Sequence, residues 1–287
     1  MKETPYLFQS FLIILWWVGL ITSPPFFAAF QFQTIPDVAF WSFFAPDILL
    51  IAILSFVRAY RRLPELEYII LGAFAYATLY CVNATVLTHS GYLPTGVMTA
   101  GLCYNLFLCF SPSLFRTSYT GFKINLAKTL LQIFCIWTLT LGIIPYFIIE
   151  AFGSLSLPSF RPTTALGILI FLSNAILGLY SAYHMVSKGD GTPLPLDQTN
   201  CLVVSGPYKY VRNPMAVAGI GQSLGIALLF QSLPLTLYSL IGALVWHIGI
   251  RPFEEHDLTK RFGADYLLYR KHTSCWIPKL RSHVLKR

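Results

Sequence analysis

Two stretches, Lys188 to Met215 and Arg251 to Pro278, hold most of the side chains in this sequence that could do chemistry. The first closes on Gly206-Pro-Tyr-Lys-Tyr-Val-Arg-Asn-Pro214. Pro suits the first turn of a helix, so Arg212 and Asn213 stand at a helix N-terminus, where free backbone N–H groups favour an anion. Tyr208 and Tyr210 supply aromatic faces just before it. The second stretch opens Arg251-Pro-Phe-Glu-Glu255, a guanidinium and two carboxylates where an apolar run ends. Carboxylates suit hydroxyl or ammonium groups, and an aromatic face suits a cation. His247 lies one helical turn before Arg251, inside the apolar run, where ionisable groups are rare and often functional. Asp47 is the other ionisable side chain deep in an apolar run. No motif surrounds it, and a structural partner on a neighbouring helix is the expectation.

These groups need elements that bring them together. Residues 214–231 and 233–250 are apolar and are separated by a turn around Ser232-Leu233-Pro234. A helical hairpin with so short a turn returns the chain to the face it left. It therefore carries Arg212-Asn213 and Glu254-Glu255 to the same side. At 100° per residue, His247, Arg251, Glu254 and Leu258 fall on one stripe of the second helix, with Glu255 beside it. Pro252 removes a backbone hydrogen bond, so a bend is expected there, with a carbonyl left near the site.

The solvent for most of the chain is lipid. The 287 residues are 55% hydrophobic and only 11% charged, against about 25% charged in soluble domains. Mean hydropathy is +0.62. In lipid only helices or closed barrels satisfy the backbone internally, and the apolar runs here have helix length. Eight candidate spans follow, at roughly 7–30, 38–57, 67–88, 95–112, 124–149, 162–186, 214–231 and 233–250. Pro24-Pro25 breaks the first near its end. Arg58, Arg61 and Arg62 follow the second span; Arg116, Lys123 and Lys128 the fourth; Lys188, Lys209 and Arg212 the sixth; Arg251 and the tail the eighth. With both termini in the cytosol, only Arg161 of the 20 basic residues falls on the far side, as the positive-inside rule expects. The net charge of +8 thus reflects orientation and anionic headgroups rather than nucleic acid. Of the six cysteines, four lie in apolar runs and none forms a CxxC pair, so neither disulfides nor a metal site is expected.

The order and spacing of the motifs resemble one family. Gly206-x-Tyr208-x-x-x-Arg212-Asn213-Pro214, a helical hairpin, Glu254-Glu255, Phe262-Gly263-x-x-Tyr266-x-x-Tyr269 and Trp276-x-Pro278 are similar to the pattern of the isoprenylcysteine carboxyl methyltransferases and phospholipid N-methyltransferases. These are integral membrane enzymes that use S-adenosyl-L-methionine. The resemblance covers Thr192 to Pro278. The helices before it carry no such resemblance; with the spans counted above, the expected fold is an all-α, polytopic transmembrane helical bundle of about eight spans. A C-terminal helical hairpin and a cytosolic cap, with Phe262-Gly263 and Trp276-Ile277-Pro278 in the cap, would form the cofactor site. Residues 1–161 would be accessory helices and 162–287 the methyltransferase module. Cofactor contacts are implied at Asn200, Cys201, Leu202, Val203, Tyr208, Asn213, Pro214, Met215, Ala216 and Glu254. Arg212 and Arg251 are candidates for orienting the acceptor or holding the cofactor carboxylate. His247 or Glu255 could take a proton from an amine acceptor. Asn213 stands where many members have His, and Ala216 where many have Tyr; His could accept a proton there, and Asn cannot.

The expected activity is methyl transfer to a lipophilic acceptor, an isoprenoid carboxylate or a lipid headgroup amine, at the cytosolic membrane face. Membrane lipids and a lipophilic or lipidated substrate are the expected partners. A membrane reductase using NADPH is one alternative, although no second phosphate-binding basic cluster accompanies Arg212. A non-catalytic membrane protein that keeps the fold is another. Plainer roles also compete residue by residue. Arg212 and Lys209 suit membrane anchors, Glu254 and Glu255 a solvated helix exit, and Tyr266, Tyr269 and Trp276 an interfacial aromatic belt.

Overall fold

The computed structural model describes residues 2–61, 63–152 and 162–278, with the side chains of residues 112 and 113 left out. Arg62, Arg161 and the tail beyond Pro278 lie outside the described residues. Among those residues the regular structure is helical, with two isolated backbone bridges, Thr117 to Gln198 and Val211 to Ser274. The helices are α1 Glu3–Thr22, α2 Pro24–Phe30, α3 Asp37–Tyr60, α4 Pro64–Thr88, α5 Tyr92–Leu114, α6 Phe122–Ala151, α7 Pro162–Gly189, α8 Pro214–Leu229 and α9 Leu233–His272. Seven of them (α1, α3, α4, α5, α6, α7 and α9) are long and apolar enough to cross a membrane; α8 is apolar but shorter. The expected break at Pro24-Pro25 falls at Ser23, which is extended and caps α2 by accepting from the Phe26 N–H.

Three helices contain a widened, π-helical stretch, at Asp47–Ile53, Thr138–Ile143 and Val245–Ile250. Each lies within two residues of a proline, Pro46, Pro145 or Pro252. For the two stretches that precede their proline, the missing N–H and the ring's steric demand on the preceding turn favour such a local widening over a regular turn.

The chain forms two compact units. Unit 1 is Met1–Ser111 with Tyr146–Leu155, and unit 2 is Pro112–Pro145 with Ser156–Arg287. Within unit 1, Glu67 holds Arg58 and Lys2, and Gln9 joins Ser55 and Asn105 in a buried polar network. These polar groups satisfy one another where water would be scarce.

Within unit 2, α7 lies closely along α8. A Cβ on Gly167 would sit 2.7 Å from the Gly225 carbonyl oxygen. The two backbones approach so closely because neither residue has a side chain there, as small residues allow between membrane helices. The α8–α9 turn is short, with Ser232 capping Leu235 and Pro234 in the first turn. At about 1.5 Å per residue, the 40 residues of α9 span about 60 Å, roughly twice the hydrocarbon thickness. Its apolar half ends at Ile250, and the charged half begins with Arg251. Arg251–His272 therefore runs beyond the hydrocarbon and carries a break at Gly263, where φ is 50° and ψ is −123°.

Candidate functional site

The site is built where α8 begins and the apolar part of α9 ends. The loop from α7 to α8 is pinned first. Asn200 donates through Nδ2 to the Asp190 carbonyl at 2.8 Å and to the Ser118 carbonyl at 3.0 Å. Lys128 pairs with Asp197 at 3.0 Å. Gly206 then turns the chain at φ 58°, and a Cβ there would lie 2.5 Å from His184 Nε2. Both the left-handed backbone and the contact require glycine. The turn that follows, Gly206–Lys209, buries Tyr208.

The tail closes over this turn. Tyr269 donates its hydroxyl to the Tyr208 carbonyl at 2.7 Å. Arg212 N–H donates to the Ser274 carbonyl at 2.9 Å. The Arg212 guanidinium bonds the Thr273 carbonyl at 2.6 Å and the Arg270 carbonyl at 3.2 Å. Tyr266 and Tyr269 share one helical face and are 1% and 4% exposed. They pack into the protein instead of forming an interfacial belt. Trp276 donates through Nε1 to His247 Nδ1 at 2.8 Å and stacks edge-on against Trp246.

Between these elements lies a cavity with about 510 Å³ of atom-free space, counted with its mouth. Leu202 and Val203 give it apolar surface; Tyr208, Asn213, Glu254, Glu255, Arg212 and Arg251 give it polar groups. Glu254 accepts from Asn213 Nδ2 at 3.3 Å. Part of the residue's surface is accessible, yet its carboxyl lies deep among protein atoms. Burial therefore dominates and pushes the carboxyl up to about 7; the Asn213 bond opposes the shift and the neighbouring Glu255 charge adds to it. The Tyr208 hydroxyl is buried without a hydrogen-bond partner, and burial raises it far above the usual phenol range.

Glu255 is placed differently. Arg212 bonds it at 2.8 Å, while Arg251 and Arg270 stand 3.8 and 3.9 Å away. Its oxygens are committed to cations. The widened turn before Pro252 sends the Arg251 N–H to the Trp246 carbonyl and frees the His247 carbonyl. Arg251 Nε donates to that carbonyl at 3.3 Å. That carbonyl is met by the neighbouring arginine, and its residue does not line the cavity.

Of the sequence-derived candidates, Leu202, Val203, Tyr208, Arg212, Asn213, Arg251, Glu254 and Glu255 line the cavity together. Asn200 braces the loop, Cys201 is exposed, and Pro214, Met215 and Ala216 begin α8 without lining the cavity. His247 meets Trp276 instead. Of the expected stripe, Arg251, Glu254 and Leu258 reach the wall and His247 does not. Met185, Thr199 and Cys275 also line the cavity. Nothing in their local sequence marks them; they arrive through the packing of α7, the loop and the tail.

Residues 162–265 match the family model described as phospholipid methyltransferase. No curated protein and no solved structure matches the chain. The matched segment contains α7, α8 and α9 as far as Asp265, and hence all of the cavity except Tyr266, Tyr269 and Cys275. This segment is similar to a membrane methyltransferase domain.

Proposed function

We propose that this chain transfers a methyl group from S-adenosyl-L-methionine to a lipophilic acceptor bearing an anionic group, at the cytosolic membrane face. The observation that carries the reading is the pairing, in one cavity, of a deeply set Glu254 carboxyl with a single weak hydrogen bond and a buried Tyr208 hydroxyl with none. Both are polar groups that a bound ligand would satisfy. The donor set fits the cofactor. Glu254 would hold its ammonium or ribose diol, Tyr208 would supply a hydroxyl and an aromatic face, and Leu202 and Val203 would cover its apolar ring. When bound, the cofactor supplies a methyl group activated on a sulfonium.

The chain's own residues align, orient and exclude water. Arg251 is the guanidinium in the wall with least of its fork committed: Nε meets the His247 carbonyl and the Glu255 contact is 3.8 Å. It would orient a carboxylate or a lipid phosphate. Glu255 keeps Arg212 charged and in place. The two proton acceptors expected for an amine, His247 and Glu255, are occupied by Trp276 and Arg212. An anionic group steered by Arg251 is therefore the better-supported handle on the acceptor.

The test is a binding titration of the full chain in lipid nanodiscs with labelled S-adenosyl-L-methionine and, separately, NADPH. Saturable binding of the first and none of the second is expected. Binding of NADPH alone would replace this reading with the reductase. Methyl incorporation into extracted lipids, separated into base-labile esters and base-stable amines, then identifies the acceptor atom.

A further inference from the structure

A second cavity lies within unit 1, outside the segment matched by the methyltransferase model. It has about 640 Å³ of atom-free space, counted with its mouth. Its walls include Trp16, Trp17, Phe30, Phe40, Phe43 and Tyr80, and its one carboxylate is Asp47. Trp16 and Trp17 are near the end of α1, Asp47 is in the first half of α3, and Tyr80 is in the last third of α4. The cavity is thus at the end of unit 1 opposite Lys2, Arg58 and Glu67.

Asp47 is 6% exposed. Its Oδ2 accepts one hydrogen bond, from Trp17 Nε1 at 3.1 Å. No Lys, Arg or His among the described residues forms an ion pair with it. A carboxylate has room for about four such bonds, and an ionised side chain inside a membrane span is stable when an opposite charge meets it. The protein holds the group in place without supplying that charge. Asn would serve as well if accepting from Trp17 were its whole purpose.

The surroundings select the missing cation. No group of three or more metal-ligating side chains occurs among the described residues, so one carboxylate among rings does not suit a metal ion. The wall is instead aromatic, its rings packed on one another: Phe43 on Tyr80 at 4.6 Å, Trp16 on Phe30 at 4.2 Å and Trp17 on Phe40 at 5.9 Å between centroids, with all six lining the space. Aromatic walls with a single counter-charge suit an organic ammonium, whose charge is spread over an apolar surface. A neutral apolar guest would leave Asp47 unanswered.

We propose that this cavity binds an organic ammonium cation, methylated or protonated, with Asp47 as its counter-ion and Trp16, Trp17, Phe43 and Tyr80 as its aromatic walls. The cation arrives on a lipid headgroup or as a free amine. The inference does not rest on the methyl-transfer reading, and its test uses neither S-adenosyl-L-methionine nor turnover.

The test compares choline with its neutral isostere, 3,3-dimethylbutan-1-ol, on the full chain in phosphatidylglycerol nanodiscs. Equilibrium dialysis and tryptophan fluorescence are the readouts. Choline should bind saturably and at least about tenfold more tightly than the isostere. Asp47→Asn keeps an oxygen for Trp17 and should remove that preference. Tyr80→Leu should weaken choline more than the isostere, and it decides the matter if Asp47→Asn does not fold. Phosphatidylcholine nanodiscs separate the two sources: a headgroup ligand suppresses choline binding there, whereas a free-amine site binds choline equally in both lipids. Equal affinity for choline and the isostere, or parental choline affinity in Asp47→Asn, overturns the proposal.

Discussion

Glu254→Gln separates charge from shape at the methyltransferase-like cavity. Gln keeps the volume and an oxygen for Asn213 Nδ2 while removing the ionisable group. A charge-assisted hydrogen bond is worth about 1.5–3 kcal/mol, and about 1.4 kcal/mol is tenfold in affinity. Binding of S-adenosyl-L-methionine should therefore weaken by about ten- to a hundredfold. The carboxyl is raised to about 7, and in the proposed reading the anion would meet the ligand's positive charge. The ionised fraction therefore rises between pH 6 and pH 7.5. Apparent affinity scales with that fraction, so the parent should bind several-fold more tightly at pH 7.5 than at pH 6. The window stops there because the ligand's own α-amino group titrates near 7.7–8.0. Equilibrium dialysis of the nanodisc-embedded chain at the two pH values measures both effects. A parent without pH dependence, or a Glu254→Gln variant with the parental slope, refutes the assignment.

The same carboxyl gives an independent signature in stability. Folding raises it from 4.5 to about 7, so the folded protein holds the proton more tightly than the unfolded chain does. Its contribution is fully present below 4.5 and is lost as pH rises through about 7. Glu254→Gln removes that loss. At pH 8 the variant should resist heat at least as well as the parent while binding the cofactor less well. A general folding defect would lower both.

Three further outcomes are expected. Arg251→Gln should leave S-adenosyl-L-methionine affinity within about threefold and lower turnover by about a hundredfold, as loss of orientation does; loss of cofactor binding would move Arg251 to the cofactor end. Tyr269→Phe removes the bond to the Tyr208 carbonyl and should destabilise by about 0.5–1.5 kcal/mol, read as a lower unfolding midpoint, so an unchanged midpoint contradicts the clamp. Cys201 is exposed in the α7–α8 loop and should react with a membrane-impermeant maleimide only when the cytosolic face is open, whereas labelling of intact cells from outside reverses the orientation.

The spans were legible because lipid leaves few alternatives: apolar runs of the right length, separated by basic clusters, admit little but helices. The hairpin was legible from Ser232 and Pro234 for the same reason. Local backbone irregularity was less so. Pro252 signalled a disturbance before Arg251 but not its form, a widened turn, and nothing in the local sequence announced that His247 meets Trp276. Met185 and Thr199 carried no signal because a cavity wall drawn from distant segments has no local pattern. Tyr266 and Tyr269 fitted an interfacial belt as well as a buried face, since both demand an amphipathic ring; tertiary contact with Tyr208 decides between them.

The motif residues divide into those that line the cavity with functional groups and those that close it. Tyr269 ties the tail helix to the Tyr208 carbonyl, Arg212 ties it to the carbonyls of Thr273 and Arg270, and Trp276 ties its end to His247. Each bond joins the segment after Gly263 to the α8 entrance or the α9 exit. Tyr266, Tyr269 and Cys275, which that segment brings to the wall, surround the same space as Glu254. Burial is the largest cause of the raised Glu254 carboxyl; if Glu254 holds the cofactor as proposed, the tail that lines the same space contributes to setting its charge. A carboxylate at a bare helix exit would be solvated and ionised at neutral pH, and would gain little from a cation already shared with water. Enclosed by the tail, it stands near its midpoint, where arrival of a cation favours the anion and releases a proton.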